Sequence, residues 1–230
     1  MTKKEHIILF LLGSILILFF IIVGLFCHPS ADDFTYAILG QQENFLETVL
    51  NERYRWNGRY ISNFFVLCSP LNWGGILGYK LMPLILIGFI LLGTSFFFRN
   101  IVGKHYVLLA LVSTVITFSI MPDITEGIYW YTGAWTYIPG GVIFLLSLSL
   151  IIKYWGKLKI HHYLIIISLF FVASGFNEII PLLGIVIFVL ALTKKIKEIK
   201  FIIFLTLFIS LFVYMALAPG NSVRGDNFLN

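Results

Sequence analysis

Long apolar runs separated by short polar segments dominate this chain. A membrane-spanning helix needs about 20 apolar residues in a row, with a range of about 17–25. Runs that reach or approach this length predict seven spans, at residues 7–27, 76–98, 105–121, 139–155, 162–176, 179–193 and 201–217. Another apolar stretch, 60–71, is short enough to suit an interfacial or re-entrant segment instead. The pattern predicts an all-α, polytopic transmembrane helix bundle of about seven spans.

The composition agrees with a membrane protein. Of the 230 residues, 59% are hydrophobic and 12% are charged, and the mean hydropathy is +0.95. Soluble domains have about a quarter of their residues charged. The basic residues behind the net charge of +5 are scattered among the connections and form no stripe, so no nucleic-acid partner is predicted. The apolar run from Ile7 to Cys27 exceeds the core of a signal peptide, about 7–15 residues, so we expect a retained span.

The basic residues also predict the orientation of the bundle. With Lys3 and Lys4 on the cytoplasmic side, seven spans place 11 of the 16 lysines and arginines there, including the clusters at 153–159 and 194–200. This distribution satisfies the positive-inside rule. Counting 60–71 as a full span would move every later basic cluster to the other side. We therefore expect a multi-pass protein of the cell membrane with a cytoplasmic N-terminus.

This topology makes residues 1–230 a single transmembrane domain with three outer segments, at about 28–75, 122–139 and 218–230. In the first of them, 44–56 has helical spacing and predicts an amphipathic helix on the membrane surface, ended by Asn57-Gly58. Only Glu5 and Glu198 of the 11 acidic residues fall on the cytoplasmic side. Acids contribute little to the choice of topology, so their asymmetry marks the outer face as the chemically active one.

Asp32 and Asp33, directly after the first span, are the candidate catalytic residues. A carboxylate can accept the proton of an attacking hydroxyl, and a neighbouring like charge raises one of the two pKa values. Consecutive helical residues do not share a face, so only one of the two is expected to react. The alternative is helix capping or plain solvation of both acids.

Further outer residues are candidates for substrate binding. Arginine grips phosphate oxygens with a planar fork, although ion pairing or contact with lipid headgroups would use the same residues. Aromatic faces can stack on sugar rings or form an interfacial belt, and an acid at membrane depth is either functional or simply hydrated. The set comprises Arg59, Asp123, Glu126, Trp130, Tyr131, Asn177, Glu178, Asn221 and Arg224.

No metal ligands are predicted with certainty, although His28 close to Asp32 is compatible with a divalent metal. Interfacial histidines are the alternative. The sequence has no phosphate-binding glycine loop, HExxH or GxSxG motif. Cys27 and Cys68 are expected to be two buried thiols, or a disulfide if both reach the outer surface.

Asp32-Asp33-Phe34-Thr35-Tyr36 resembles the start of the first outer loop of polytopic GT-C-fold glycosyltransferases, such as protein O-mannosyltransferases and aminoarabinose transferases. The resemblance implies a lipid-phosphate-linked sugar donor and a catalytic base in this loop, with Asp32 at the leading aspartate and Asp33 at the acid after it. The chain is also similar to an uncharacterised group of bacterial multi-span proteins through its elements at 57–60, 129–130, 177–178 and 219–221. GT-C enzymes are usually longer, so we expect an N-terminal fragment of such an enzyme.

The leading hypothesis is an integral membrane glycosyltransferase with Asp32 as general base. Arg59 or Arg224 would hold the lipid phosphate, and Glu178 or Asp123 would position substrate or metal. A transporter or flippase of a lipid-linked sugar is the first alternative, and the one-sided distribution of acids argues against it. A non-enzymatic membrane assembly subunit is the second. The membrane lipid is a partner in every case, and the sequence predicts no oligomeric state.

Overall fold

The computed structural model describes residues 2–193 and 199–229, and every regular element in them is helical. The elements are α1 Lys3–Gly24, α2 Asp32–Leu39, α3 Phe45–Arg55, α4 Ser62–Leu67, α5 Pro70–Ile101, α6 Tyr106–Ile120, a π-helix Thr125–Tyr129, α7 Tyr131–Lys153, α8 Ile160–Ser174, α9 Ile179–Thr193, α10 Ile199–Ala216 and α11 Pro219–Leu229. The all-α prediction is confirmed. The basic cluster predicted at 194–200 falls mostly on 194–198, outside the described residues.

Among the described residues, three helices, α1, α5 and α7, are long and apolar enough to cross a membrane. Phe201–Ala216 and Pro219–Gly225, which are bent by 47° relative to each other, would form a fourth span if taken together. The apolar helices α6, α8 and α9 have 15 residues each, about 22 Å at 1.5 Å per residue. The hydrocarbon core is about 30 Å thick. These lengths identify a membrane protein with three to four candidate spans.

The two largest clusters of buried residues in the described part of the chain both include residues of α7. One cluster joins α7 to α1, α5 and α6 through residues such as Ile17, Leu86, Phe118 and Val142. The other joins α7 to α8, α9 and α10 and is rich in phenylalanine, with Phe144, Phe170, Phe188, Phe204 and Phe208. Apolar side chains gain little by leaving lipid, so close packing of such rings is the main force that holds membrane helices together.

Two helix boundaries differ from the sequence prediction. α7 begins at Tyr131, so much of the predicted outer segment 122–139 belongs to a helix, and Pro139 lies inside that helix. Proline is tolerated within membrane helices because neighbouring groups satisfy the freed backbone atoms. α5 begins at Pro70 and bends at Gly75, whose φ of 54° is non-helical. The apolar stretch 60–71 therefore contains the short helix α4 and the start of α5.

The predicted surface helix at 44–56 corresponds to α3, but its apolar residues are divided between two faces. Phe45 and Val49 pack against the small core around Tyr36. Leu46, Leu50 and Tyr54 form an exposed stripe on the other side of the helix. An exposed apolar stripe of this kind suits a helix that lies in the membrane interface.

Candidate functional site

Asp33 is buried in a set of hydrogen bonds that joins α2 to α5 and α7. Its Oδ2 accepts hydrogen bonds from the Tyr79 hydroxyl at 2.7 Å and the Ser30 N–H at 3.0 Å. Its Oδ1 accepts from the hydroxyl and the N–H of Thr132, at 2.7 and 3.0 Å. The residue is 1% exposed. These contacts give Asp33 a structural role, so its selection as a catalytic residue is not supported by its surroundings.

Asp32 is exposed and lies where two cavities meet. The α2–α3 cavity, of about 210 Å³, is lined by Asp32, Tyr36, Glu52, Arg55 and Trp56, among others. The central cavity, of about 110 Å³, shares Asp32, Tyr36 and Trp56 with the first and continues to Asn57, Arg59 and Trp130. Of the two adjacent acids, Asp32 is therefore the one that can meet a bound molecule.

Glu52 is a cavity-lining acid that the sequence analysis did not select. It is 4% exposed, and its carboxyl group lines the α2–α3 cavity. Burial raises the pKa of its carboxyl group, and the positive charge of Arg55 partly opposes this. Thr48, one helical turn earlier, is also buried. Thr48 and Glu52 are four residues apart and share one face of the helix, which is the sequence pattern that could have indicated a site. The same pattern is equally typical of the solvated side of an amphipathic helix.

Tyr36 lies between the charged groups of the site. Burial raises the pKa of its hydroxyl, and the negative charges of Glu52 and Asp32 raise it further. The positive charges of Arg59 and Arg224 act in the opposite direction. Asp32, Arg59 and Arg224, which are far apart in sequence, therefore lie at the same end of the bundle, as the sequence analysis expected.

Arg59 and Glu178 form a half-buried ion pair. The Nε of Arg59 donates to both carboxylate oxygens, at 3.1 and 3.0 Å, and its Nη2 lies 3.0 Å from Oε2. Burial lowers the pKa of Arg59, but the hydrogen bond and charge of Glu178 outweigh it and the net pKa is raised. The guanidinium group also lies 5.5 Å from the Tyr137 ring centre. Glu178 thus orients an arginine that lines the central cavity.

Three of the short elements noted in the sequence pack together through close backbone contacts. The carbonyl oxygen of Gly175, at the end of α8, accepts hydrogen bonds from the N–H groups of Ile61 and Ser62, at 2.9 and 3.2 Å. A Cβ on Gly58 would lie 2.6 Å from the carbonyl oxygen of Met215, and one on Gly220 would lie 2.5 Å from the nitrogen of Trp56. The segments around 175–178 and 219–221 therefore both pack against residues 56–62, of which Asn57 and Arg59 line the central cavity.

Asn177 and Asn221, both predicted to bind substrate, instead complete helix ends. The Asn177 Oδ1 accepts from the Ile179 N–H at 3.1 Å, and its Nδ2 donates to the Thr136 carbonyl at 3.2 Å. The Asn221 Nδ2 donates to the carbonyl oxygens of Met215 and Ala216, at 2.9 and 3.1 Å, at the end of α10. The contacts with Ile179, Met215 and Ala216 satisfy backbone groups that a helix end leaves unpaired, whereas Thr136 lies within α7.

Residues 123–131, which include four of the predicted substrate-binding residues, separate into structural and cavity-lining residues. The Asp123 Oδ1 caps the π-helix by accepting from the N–H groups of Thr125 and Glu126, at 2.8 and 3.1 Å. The Glu126 side chain is exposed, and neither acid lines the cavities around Asp32 in the described structure. Tyr131 is buried, and its hydroxyl donates to the Phe65 carbonyl at 2.7 Å.

Trp130 and Arg224 remain close to the cavities. Trp130 lines the central cavity, and its Nε1 donates to the Ser30 carbonyl at 3.3 Å. The Arg224 guanidinium lies 5.8 Å from the ring centre of Trp56, which lines both cavities. The amides of Asn57 and Asn63 are polar lining groups of the central cavity that the sequence analysis did not select. Asn57 was interpreted as a turn residue and Asn63 lies in the apolar stretch 60–71, so neither was recognised as a binding residue.

No metal centre or disulfide is evident in the described residues. No group of three or more His, Cys, Asp or Glu side chains there could hold a metal ion. Asp32 and Glu52 are the carboxylates closest to such a role, because both line the α2–α3 cavity. Cys27 and Cys68 are free and half-buried, which excludes the disulfide alternative in this structure.

Comparison of the chain with protein-family models, curated proteins and solved structures finds no match. The resemblance of residues 32–36 to GT-C glycosyltransferases therefore stays a prediction. The structural features that bear on this prediction are the two cavities and the exposed acid Asp32, which lines both of them.

Proposed function

We propose that this chain is an integral membrane glycosyltransferase that uses a lipid-phosphate-linked sugar donor, with Asp32 as its general base. The observation that supports this most directly is the contrast between the two adjacent acids. Asp33 is saturated with hydrogen bonds, whereas Asp32 is exposed at the junction of two cavities. A base needs lone pairs within reach of the proton that it accepts, and Asp32 meets this requirement.

The reaction would proceed as follows. Asp32 takes the proton of an acceptor hydroxyl while the acceptor oxygen forms a bond to the anomeric carbon of the sugar. The bond between that carbon and the phosphate oxygen breaks, and the lipid phosphate leaves with the electron pair. Positive charge placed beside the leaving group stabilises the transition state. Arg59 lines the central cavity and Arg224 lies behind Trp56, so both are near enough to serve this purpose.

The lining of the central cavity suits a sugar. Trp56 and Trp130 supply flat aromatic faces, and Asn57 and Asn63 supply amide groups, although the Asn57 Oδ1 already accepts from the Arg59 N–H. Glu178 would act through Arg59, which it holds with both carboxylate oxygens. If the reaction uses a divalent metal, Asp32 and Glu52 are the residues to hold it together with phosphate oxygens.

The proposal includes seven spans in the cell membrane, with the N-terminus in the cytoplasm. The distribution of lysine and arginine supports this orientation. α6, α8 and α9 would cross by local thinning of the bilayer, which short apolar helices induce at modest cost. The exposed stripe of Leu46, Leu50 and Tyr54 would hold α3 in the outer interface.

A transfer assay with the full chain in liposomes tests the function. Polyprenyl-phosphate sugars are supplied as donors, with and without a chelator of divalent metals, and transfer to an acceptor is measured. Asp32→Asn should abolish transfer while the protein stays in the membrane. Glu126→Gln, which changes an exposed outer acid away from both cavities, should leave transfer unchanged.

Other outcomes would support the alternatives. Normal turnover by Asp32→Asn would remove Asp32 from the mechanism. Movement of the lipid-linked sugar between leaflets, without bond formation, would favour a flippase. Neither transfer nor movement, together with tolerance of substitutions in all outer segments, would favour an assembly subunit.

A further inference from the structure

An apolar groove runs along the exposed side of α1, α5 and α6. Its volume is about 480 Å³, and its lining includes Phe10, Ser14, Ile21, Leu91, Ser95 and Val107. Ser14 and Ser95 are small side chains among large apolar ones. The Ser14 hydroxyl donates to the Phe10 carbonyl of its own helix at 2.8 Å, so it is satisfied without a partner from outside.

The length of the groove matches one leaflet of a bilayer. It follows α1 from Phe10 to Ile21, a rise of about 16 Å at 1.5 Å per residue. Half of a hydrocarbon core of about 30 Å is about 15 Å. The groove is therefore long enough to hold an acyl chain from the leaflet at the N-terminal end of α1.

Basic residues lie just beyond this end of the groove. Arg99 follows Ser95 by one turn of α5, and Lys3 lies on the same face of α1 as Ser14, about three turns earlier. Lys104 lies in the short connection that leads into α6. All three basic side chains are exposed.

A contact between two histidines brings these basic residues to one place. The ring centres of His6, on α1, and His105, just before α6, are 4.3 Å apart. The first turn of α1 therefore lies against the connection between α5 and α6. Segments 1–14 and 95–111 together contain four lysines or arginines and a single acid, Glu5. The Glu5 Oε2 accepts from the Thr2 N–H at 2.9 Å and caps α1, so this end of the bundle has an excess of positive charge.

We propose that the groove binds an acyl chain of an anionic phospholipid, whose phosphate group lies beside Lys3, Arg99 and Lys104. Lysine and arginine at a membrane surface favour anionic lipids by about fivefold each. A second copy of the chain fits less well, because a symmetric dimer through this face would place two basic ends side by side.

The site is independent of the proposed sugar transfer. Asp32 follows the other end of α1, so the two sites lie at opposite ends of the bundle. The proposed topology places the bound phospholipid in the cytoplasmic leaflet.

Native mass spectrometry of the full chain in detergent tests the proposal. The protein is titrated with dioleoylphosphatidylglycerol or with dioleoylphosphatidylcholine, which has the same chains but no net charge, and bound lipid is measured as a mass shift. Phosphatidylglycerol should bind at least about tenfold more tightly. Inorganic phosphate at the same concentration should not displace it, because phosphate has no chain to occupy the groove.

Arginine variants test the headgroup contact. Arg99→Gln should weaken the binding of phosphatidylglycerol about fivefold and leave that of phosphatidylcholine unchanged, whereas Arg99→Lys, which keeps the charge, should retain most of the preference. Lys157→Gln removes one charge from the connection between α7 and α8, outside the groove lining. This control should bind phosphatidylglycerol as the natural protein does.

Serine variants test the chain contact. Ser14→Phe fills the groove and should weaken the binding of both lipids severalfold. Ser119→Phe adds the same ring at an exposed position of α6 outside the groove lining and should have no effect. The unfolding midpoint without added lipid shows whether each variant is folded. If Ser14→Phe disturbs α1, Phe10→Ala at an exposed position of the lining provides the same test.

The proposal is overturned if phosphatidylglycerol binds no more tightly than phosphatidylcholine, or if Lys157→Gln weakens binding as much as Arg99→Gln. Displacement of the lipid by inorganic phosphate would reject the groove as a chain site. A dimer that persists without lipid and that Ser14→Phe dissociates would assign the groove to a second copy of the chain.

Discussion

The Tyr79 hydroxyl donates a hydrogen bond of 2.7 Å to the carboxylate of Asp33 in the buried contact between α2 and α5. This contact, together with those from Ser30 and Thr132, holds the first turn of α2 in place. Because Asp33 points inward, Asp32 is directed toward the two cavities. The difference between two adjacent acids is thus produced by a tyrosine and a threonine that are distant from them in sequence.

Asp33→Asn should destabilise the protein markedly. The amide has one acceptor oxygen in place of two, so donors among Tyr79, Ser30 and Thr132 lose their partners. Each lost hydrogen bond to a buried charged group costs about 1.5–3 kcal/mol. The thermal unfolding midpoint in detergent should fall by several degrees, whereas Asp32→Asn should leave it nearly unchanged. Equal midpoints for the two variants would contradict the structural role of Asp33.

Arg59 and Glu178 should be energetically coupled. A double-mutant cycle with Arg59→Gln and Glu178→Gln should give a coupling energy of about 1–3 kcal/mol, because each single change leaves a half-buried charge without its partner. Unfolding in denaturant at fixed detergent concentration provides the measurement. The same cycle with Lys153→Gln in place of the arginine change serves as control and should be additive. Additivity of the Arg59 and Glu178 changes would refute the ion pair.

Glu52 should make stability depend on pH. Burial raises its folded-state pKa, so between the unfolded and folded pKa values the folded protein binds more protons, and stability falls as pH rises. Glu52→Gln removes this loss. The unfolding midpoint of Glu52→Gln minus that of the natural protein should therefore grow as the pH rises from about 4.5, the ordinary glutamate value, to the raised pKa.

Glu47 provides the control for this pH series. It lies on the same helix but is exposed, so Glu47→Gln should follow the pH profile of the natural protein. Parallel profiles for the Glu52 and Glu47 variants would show that the Glu52 carboxyl group is hydrated in solution.

Gly220→Ala should disturb the contact between α11 and the Trp56–Asn57 backbone. Its Cβ would lie 2.5 Å from the Trp56 nitrogen, and overpacking of this kind costs about 1–3 kcal/mol. In Gly225→Ala, on the same helix, the new Cβ meets nothing within 4 Å. That variant should be neutral or slightly stabilising, because alanine favours helix. Limited proteolysis of the C-terminal segment should therefore accelerate for Gly220→Ala alone.

The sequence supports parts of this description independently of the structure. The apolar runs and the low charge predict a helical membrane protein, because lipid offers no partners to unpaired backbone groups. The spacing at 44–56 predicts α3, and Asn57-Gly58 predicts its end. The start of α7 was predicted incorrectly because Pro139 resembled a boundary, whereas it lies within the helix.

Side-chain roles at the site could not be predicted in the same way. Asn177 and Asn221 were selected for their chemistry, but their amides bond backbone groups at neighbouring helix ends, at Ile179 and Met215. Glu52 was overlooked because its burial depends on other elements of the fold, such as Tyr36 and Leu39 of α2, which line the same cavity.

By itself, the sequence determined that the chain is helical and enters a membrane, since hydrophobic length and charge placement are local properties of the chain. Only the tertiary structure decided which acid is available, because Asp33 is satisfied by groups from α5 and α7 while Asp32 is left at the cavities. Hydrogen-bond partners that are remote in sequence leave no periodic pattern, so their effect appears only when the helices are packed.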